Sequence, residues 1–301
     1  MPPNSRHGSS EATIVHISDV HVFSARSLRP HFLLDKRLLG SLNALFRRGR
    51  LHAFDVTLAA LDVVRRIRPD HLLVTGDITT LGAEAEFRRF RAALEDLPLA
   101  AENITVVPGN HDAYVPSVVR GRIFERVFAP FLEPDAEFRA FDWPLVRLRG
   151  PLALVGCRTA RPCPPPLAVG TLGARHLARL EAVLADPRVA RRCRVVGLHH
   201  PPQPGAGHWH NRLTDAATFR EILARQGADL VLHGHLHRRI STSLPGPRDP
   251  VAVRGVGSVS VCAGPPDRLG HLYLFRIRGR EVVDQQSWRY HPIRREFLRE
   301  P

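Results

Sequence analysis

HLLVTGD, residues 71–77, is an apolar run of strand length that ends in a glycine and an aspartate. Four other apolar runs share this design, in which a buried strand is followed directly by polar residues. They are ATIVHIS (12–18), NITVVPG (103–109), RVVGLHH (194–200) and ADLVLHG (228–234). Segments of helical period lie between them, near residues 54–68, 84–96, 173–185 and 214–226. This alternation predicts an α/β architecture with largely parallel central strands.

Later parts of the chain follow a different pattern. Short strand-like runs are separated there by glycine and proline, and they read WPLVRLRG, PLALVGC, VAVRGVGSVSVCAG, HLYLFRIRG and EVVDQQSWRY. Runs of this kind are typical of antiparallel strands, so they predict a second, more antiparallel sheet. The segment PPQPGAGHWHNR at residues 201–212 is rich in glycine and proline, which predicts a long loop that could overhang a site.

Charge and composition indicate a globular protein and limit the partners that fit it. The chain has 301 residues, 44% of them hydrophobic, which is enough for a sizeable core. Its formal net charge is +14, and nearly all basic residues are arginine because Lys36 is the only lysine. Clustered basic residues neutralise phosphates, so an anionic substrate or surface fits this charge. An arginine bias this strong also fits genome composition, so we predict no specific nucleic acid as a partner.

The domain organisation is simple. Residues 1–11 are polar and rich in Gly, Ser and Pro, which predicts a flexible tail before a single domain at 12–301. We find neither an apolar stretch of about 18 residues nor the apolar core of a secretory signal. The four cysteines lack a C-x-x-C pair and are interpreted as reduced thiols. We therefore expect a cytoplasmic protein.

Metal-ligand residue types follow each of the five predicted strands. They are Asp19 with His21, Asp77, Asn110 with His111 and Asp112, His199 with His200, and His235 with His237. The carboxyl ends of parallel strands line one crevice, so these residues are expected to converge. On an extended chain, residues two apart point to the same side, which would aim each D-x-H or H-x-H pair at one ion. Mixed Asp, Asn and His ligands suit Mn, Fe or Zn.

These five blocks, in this order, resemble the motif set of the calcineurin-like metallophosphoesterases. That set is D-x-H, G-D, G-N-H-D/E, a histidine before a small residue or proline, and G-H-x-H, and the resemblance runs from about residue 13 to 290. Stretches such as HISDVHV, LLVTGDITTLGAEAEF and LHGHLH are similar to the bacterial branch that includes class III cyclic-nucleotide phosphodiesterases. The resemblance implies a four-layer αββα fold, in which two packed mixed β-sheets are flanked by helices.

The resemblance also implies a role for each site residue. Two divalent metal ions are expected, one held by Asp19, His21 and His237 and the other by Asn110, His199 and His235, with Asp77 bridging both. His111 is implied to be the catalytic side chain that touches phosphate. His200 is expected behind the ligands. Many relatives have an acidic residue where this chain has Thr80, and a neutral side chain there cannot stabilise an imidazolium unless Asp112 substitutes for it.

The implied activity is hydrolysis of a phosphodiester, such as a cyclic nucleotide, by a water that the two metals activate. A phosphomonoesterase and a phosphoesterase acting on lipid head groups are alternatives with the same chemistry. A different class is an Arg-rich nucleic-acid-binding protein whose metal site is silent. The complete ligand set disfavours that class, because structural zinc sites are usually closed and rich in thiolates.

One segment has no counterpart among these motifs. Residues 28–52, LRPHFLLDKRLLGSLNALFRRGRLH, lie between the first ligand pair and the first predicted core helix. At helical period they form an apolar half and a basic half. Such a helix either packs on the domain or binds an anionic membrane surface, and the second reading would place the protein peripherally at the membrane.

Overall fold

The computed structural model describes residues 10–23, 51–140 and 142–301. Within these residues the helices are α1 Phe54–Ile67, α2 Glu84–Glu95, α3 Pro116–Arg120, α4 Ile123–Leu132, α5 Ala174–Ala185, α6 Pro187–Ala190 and α7 Ala216–Gln226. The strands are β1 Glu11–Ile17, β2 His71–Val74, β3 Ile104–Val106, β4 Leu145–Arg149, β5 Leu152–Gly156, β6 Cys193–Gly197, β7 Leu230–His233, β8 Ile240–Leu244, β9 Val251–Gly255, β10 His271–Arg278, β11 Glu281–His291 and β12 Glu296–Arg299. Helices α1, α2, α5 and α7 overlap the predicted helical segments, whereas α3, α4, α6, β8 and β12 lie outside every predicted run.

The described strands form two mixed sheets of six. The first has the order β12-β11-β10-β1-β2-β3, and the second has the order β4-β5-β6-β7-β9-β8. Neighbouring strands are parallel from β1 to β3 and from β5 through β6 and β7 to β9. The remaining neighbours, β12-β11-β10-β1 in the first sheet and β4-β5 and β9-β8 in the second, pair antiparallel. The predicted pair of packed mixed sheets is therefore confirmed.

The predicted second sheet is present, but the later strands do not build it alone, and two of them belong to the first sheet. Strand β10 pairs antiparallel with β1, with Val15 opposite Leu274, and so extends the first sheet. Strand β9 instead runs parallel to β7 in the second sheet. The second sheet thus has a parallel centre and antiparallel edges, whereas the first sheet is parallel at its β3 end and antiparallel at its β12 end. Both faces of β10 carry apolar residues, which its central position in the first sheet buries.

The two faces of each sheet are buried against different layers. In the first sheet, Ile14 and Leu73 point toward the second sheet and meet Leu154 and Val195. The residues next in sequence point the other way, onto the helices. The first sheet buries Val15 and Leu72 with α1 and α2, and the second buries Val155 and Val196 with α5 and α7. This two-sided burial explains why the parallel strands read as continuous apolar runs.

Two predicted segments meet the limits of the described residues. Strand β1 begins at Glu11, whose backbone lies opposite Arg278, so the last residue of the predicted tail belongs to a strand. Residues 1–9 lie outside the described residues, and the flexible tail stays a prediction. Except for Leu51 and His52, residues 28–52 lie outside the described residues, and the membrane-surface hypothesis stays a prediction. Among the helices that the structure describes, none is both long and apolar enough to cross a membrane.

Candidate metal centre

All seven predicted ligands lie together at one edge of the two sheets. Asp19 and His21 follow β1, Asp77 follows β2 and Asn110 follows β3 in the first sheet, whereas His199 follows β6 and His235 and His237 follow β7 in the second. The carboxyl ends of parallel strands from both sheets therefore meet here, as expected for a ligand crevice in an α/β fold. Side chains more than 200 residues apart in sequence become neighbours in this way.

The first group of ligand atoms comes from Asp19, His21, Asp77 and His237, and these atoms lie within 4.8 Å of one another. The Nε2 atoms of His21 and His237 are 3.0 Å apart. His237 Nε2 is also 3.2 Å from Asp19 Oδ1. Two imidazole nitrogens and two carboxylates that face one another at these distances form a donor set that suits a borderline divalent cation.

The second group comes from Asp77, His199 and His235, whose ligand atoms also lie within 4.8 Å of one another. His199 Nε2 is 3.2 Å from both Asn110 Oδ1 and His235 Nδ1, so the amide oxygen of Asn110 joins this group. The two oxygens of Asp77 are divided between the groups. Oδ1 lies 3.4 Å from His199 Nε2, and Oδ2 lies 3.8 Å from His21 Nε2. Asp77 thus lies between the two groups, and its role as a bridge stays a prediction.

Backbone carbonyls orient two of the imidazoles. His199 Nδ1 lies 2.7 Å from the Thr75 carbonyl, and His235 Nε2 lies 2.8 Å from the Asn211 carbonyl. A carbonyl can only accept, so these nitrogens carry the protons, and the opposite nitrogens present their lone pairs to the centre. Metal-binding histidines are oriented in this manner by groups behind them. The second contact also places the predicted overhanging loop, residues 201–212, against the site.

The ligand segments have a backbone conformation that the sequence reasoning missed. Five of the seven ligand candidates have positive φ, with values of 56° at Asp19, 48° at His21, 49° at Asp77, 71° at His235 and 50° at His237. The extended backbone assumed for the D-x-H and H-x-H pairs was therefore wrong. Residues in the left-handed region, not an extended chain, bring the two side chains of each pair together. Such residues are uncommon outside glycine, although Asp, Asn and His adopt them most readily. Strain of this kind clusters at functional sites.

Glycine is required where these segments approach most closely. A Cβ atom on Gly234 would collide with Ser18 Oγ and Asp19 Oδ2. A Cβ on Gly109 would likewise collide with the backbone nitrogen and Oδ1 of Asp77. The glycines of the G-H-x-H and G-N-H-D blocks therefore let one ligand segment lie directly on another.

The charges and polar atoms of the centre fit bound cations. Within the described residues, the buried Oδ1 of Asp19 has no hydrogen-bond donor. Burial opposes ionisation of Asp77, but the charges of His199 and His111 hold its pKa well below the usual range. Burial also lowers the pKa of His199, yet Asp77 and Asp19 outweigh it and raise that pKa to about 9. The buried carboxylates thus draw positive charge into the site, and divalent ions would supply it.

Burial and the charge of His199 lower the pKa of His235 to about 3, so its ring is neutral near pH 7. A neutral imidazole is the form that binds a metal ion. His200 has both ring nitrogens engaged elsewhere, because Nδ1 lies 2.8 Å from Thr159 Oγ1 and Nε2 lies 3.1 Å from the Ala168 carbonyl. Its ring packs against His235 with centroids 4.5 Å apart. His200 therefore lies behind the ligands, as predicted.

His111 lies beside the bridging carboxylate. Its backbone N–H donates to Asp77 Oδ1 at 2.8 Å, and its ring Nδ1 lies 2.8 Å from the Thr80 carbonyl oxygen. The ring stacks on Tyr114 with centroids 5.1 Å apart and an angle of 14° between the planes. The main-chain carbonyl of Thr80 thus orients the His111 ring. The sequence prediction considered only the side chain at position 80 and missed this group.

Asp112 does not act as the substitute acid that the sequence left open. Its carboxylate accepts backbone N–H groups of Gly109, Ile78 and Thr79 at 2.9 to 3.1 Å. These bonds join the loop after β2 to the loop after β3. Burial, followed by the charge of Asp77, raises the pKa of Asp112 to about 7. Asp112 therefore fixes the two loops that carry Asp77 and Asn110.

His52 forms a network that the sequence reasoning did not predict. Its ring packs edge-on against His21 at 4.8 Å and His237 at 5.5 Å between centroids. Its Nδ1 lies 2.8 Å from Ser260 Oγ. The hydroxyls of Ser260 and Ser258 donate to the Asp19 carbonyl oxygen. These contacts reach Asp19, His21 and His237, the three residues predicted to bind only the first ion. No motif or spacing marks His52 in the sequence.

We expect His52→Ala to weaken the first ion selectively, because it removes packing on His21 and His237 and a partner of Ser260. Losing such a supporting group typically costs about 10- to 100-fold in metal affinity. Metal analysis after dialysis against graded chelator should show one ion leaving earlier than in the unaltered protein, while the second leaves at the same concentration. Simultaneous loss of both ions, or no change in either, would contradict this role.

Comparisons with known proteins agree with this geometry. Residues 12–239 match the family model described as calcineurin-like phosphoesterase. A cAMP/cGMP dual specificity phosphodiesterase of Mycobacterium tuberculosis is 27% identical over 249 residues, which are 80% of this chain and 67% of that protein. A dimetal phosphatase from Danio rerio aligns with a TM-score of 0.62 at 15% identity, covering 96% of this chain and 98% of the other. Purple acid phosphatase from yellow lupin gives a TM-score of 0.62 at 10% identity, covering 97% and 53%.

Proposed function

Because the chain belongs to the calcineurin-like phosphoesterases, hydrolases of phosphoester bonds, we propose that it is a metal-dependent phosphodiesterase that acts on cyclic nucleotides or related diesters. The observation that carries this proposal is the position of Asp77, whose two oxygens each serve one of two adjacent groups of ligand atoms. The M. tuberculosis relative is described as acting on cAMP and cGMP, which supports the substrate class.

Two divalent ions held by these two groups of ligands would lower the pKa of a bound water and would neutralise charge on phosphorus. The nitrogen and oxygen donors favour Mn, Fe or Zn over Mg or Ca. Asp77 holds the two groups together, and the carbonyls of Thr75 and Asn211 keep the rings of His199 and His235 in the ligand orientation. These residues fix the geometry before substrate arrives, which is the condition for electrostatic stabilisation of a transition state.

His111 is proposed to contact the phosphate and to protonate the leaving oxygen. The bond from Nδ1 to the Thr80 carbonyl fixes the proton on Nδ1, so Nε2 is the atom that would exchange a proton with the substrate. Stacking on Tyr114 and edge contact with His21 hold the plane of the ring. A general acid in a fixed position of this kind contributes typically about 10²- to 10⁴-fold to the rate.

Hydrolysis assays on metal-defined protein test this function. We expect the Mn-loaded protein to hydrolyse bis(4-nitrophenyl) phosphate and cAMP, and we expect a chelator to abolish both activities until Mn is restored. Faster hydrolysis of 4-nitrophenyl phosphate than of both diesters would favour the phosphomonoesterase alternative. Mn-loaded protein that hydrolyses none of these esters would contradict the proposal and would favour the alternative of an Arg-rich nucleic-acid-binding protein.

A further inference from the structure

Residues 207–212 form a tight turn beside the metal centre, here called the aromatic turn. His208 N–H donates to Asn211 Oδ1 at 2.6 Å, and Asn211 N–H donates back to the His208 carbonyl at 3.1 Å. Ala168 N–H and Gly170 N–H donate to the carbonyls of His210 and Arg212 at 2.7 and 3.0 Å. The turn is therefore fixed at its base by main-chain bonds to a neighbouring segment.

The same turn touches the ligands directly. The carbonyl of Asn211 accepts from His235 Nε2, so Trp209 lies only two residues from a group in contact with the centre. The rings of His208 and His210 are parallel within 2°, with centroids 5.6 Å apart, and Trp209 stands edge-on to His210 at 5.4 Å. Three consecutive positions of an anchored turn thus present three aromatic rings.

Trp209 is exposed, which is unusual for its residue type. Its relative exposure is 69%, whereas tryptophan is on average highly buried in folded proteins. The loop at 201–212 contains no acidic residue, and its exposed Arg212 adds positive charge. A rigid exposed ring next to basic charge suits a ligand that is both planar and anionic, since bases stack on aromatic side chains and arginine attracts phosphate.

We propose that the aromatic turn is a subsite that binds the base of a nucleotide by stacking on Trp209, while the phosphate lies at the metal centre. This inference rests on the proposed function and assigns its substrate class to diesters that carry an aromatic base. An interfacial membrane anchor fits less well, because Trp209 is the one large exposed apolar side chain on this turn. The other exposed large apolar side chains of the described chain are Leu51, Val119, Val283 and Ile293, which are scattered over other elements.

Direct binding to Mn-loaded protein tests the subsite with two matched ligands, AMP and ribose 5-phosphate. Both ligands carry a phosphate and a ribose, and only AMP carries the base. We expect AMP to bind at least about fivefold more tightly than ribose 5-phosphate, the lower bound for stacking one base on an aromatic ring. Trp209→Leu should remove this preference without weakening ribose 5-phosphate, and Trp209→Phe should restore most of it.

Ile293→Ala is the control, because it removes an even more exposed apolar side chain from the turn between β11 and β12. It should leave the preference unchanged. Equal affinity of the two ligands for the unaltered protein, or an equal loss of both in Trp209→Leu, would overturn the subsite. Sedimentation with lipid vesicles tests the alternative. Unaltered protein that binds vesicles, together with a Trp209→Leu variant that does not bind them but keeps the preference for AMP, would overturn the subsite in favour of a membrane anchor.

The binding readout needs no turnover, so the two proposals can fail separately. Protein that hydrolyses diesters but binds AMP no better than ribose 5-phosphate contradicts the aromatic subsite alone. Protein that binds AMP through Trp209 but hydrolyses no phosphoester contradicts the proposed function alone.

Discussion

Asp77→Ala is expected to release both metal ions and to abolish hydrolysis. The two oxygens of Asp77 lie 3.4 Å from His199 Nε2 and 3.8 Å from His21 Nε2, so one substitution removes a ligand from both groups. It also leaves Asp19 as the only carboxylate among the seven ligand candidates, so little negative charge remains in the centre to hold two cations. We expect activity to fall by more than about 100-fold, the upper end of the loss seen for residues that only support a ligand.

Metal analysis and activity should be measured on the same preparations. Asp77 has φ 49°, a conformation that asparagine adopts more readily than alanine, so Asp77→Asn separates loss of charge from backbone strain. The control is Asp186→Asn, which removes a carboxylate that caps α6 and pairs with Arg188. This control should keep both ions and full activity. Two ions retained by either Asp77 variant would contradict the bridging role.

The positions of the ligands could be predicted from sequence because the signals are local. Each parallel strand is a short apolar run buried on both faces, and each ligand block follows its run immediately. The end of such a run therefore marks the edge of the sheet without knowledge of its partners. The match between predicted segments and helices α1, α2, α5 and α7 has the same origin in local periodicity.

The sheet assignment of later strands could not be predicted in this way. Strand β10 pairs with β1, more than 250 residues earlier in the chain, and β9 pairs with β7. Both strands carry apolar residues that would fit either sheet, so only the packed structure decides between partners. Strand order is a property of long-range pairing, and hydrophobic pattern alone leaves it open.

The fine geometry of the centre also depends on long-range contacts. The left-handed backbone at Asp19 and His235 is supported where His235 N–H donates to Asp19 Oδ2 at 3.0 Å, across 216 residues. His52 enters the site through serines that follow β9, and Thr80 orients His111 through its carbonyl. A main-chain acceptor has no residue-type signature, so sequence reasoning that compares side chains cannot find it.

His111→Ala is expected to keep both ions while slowing hydrolysis by about 10²-fold or more, the usual contribution of a positioned acid or phosphate contact. The metals should stay because the bond from His111 to Asp77 Oδ1 is made by the backbone N–H, which alanine retains. The imidazole, which is removed, contacts Thr80, Tyr114 and His21. His291→Ala, at the end of β11, is the matched control and should leave the rate unchanged. Measuring the metal content and kcat of each variant tests this prediction. A fall of less than about threefold would exclude a catalytic role for His111, whereas loss of an ion would show that the residue supports the metal centre instead.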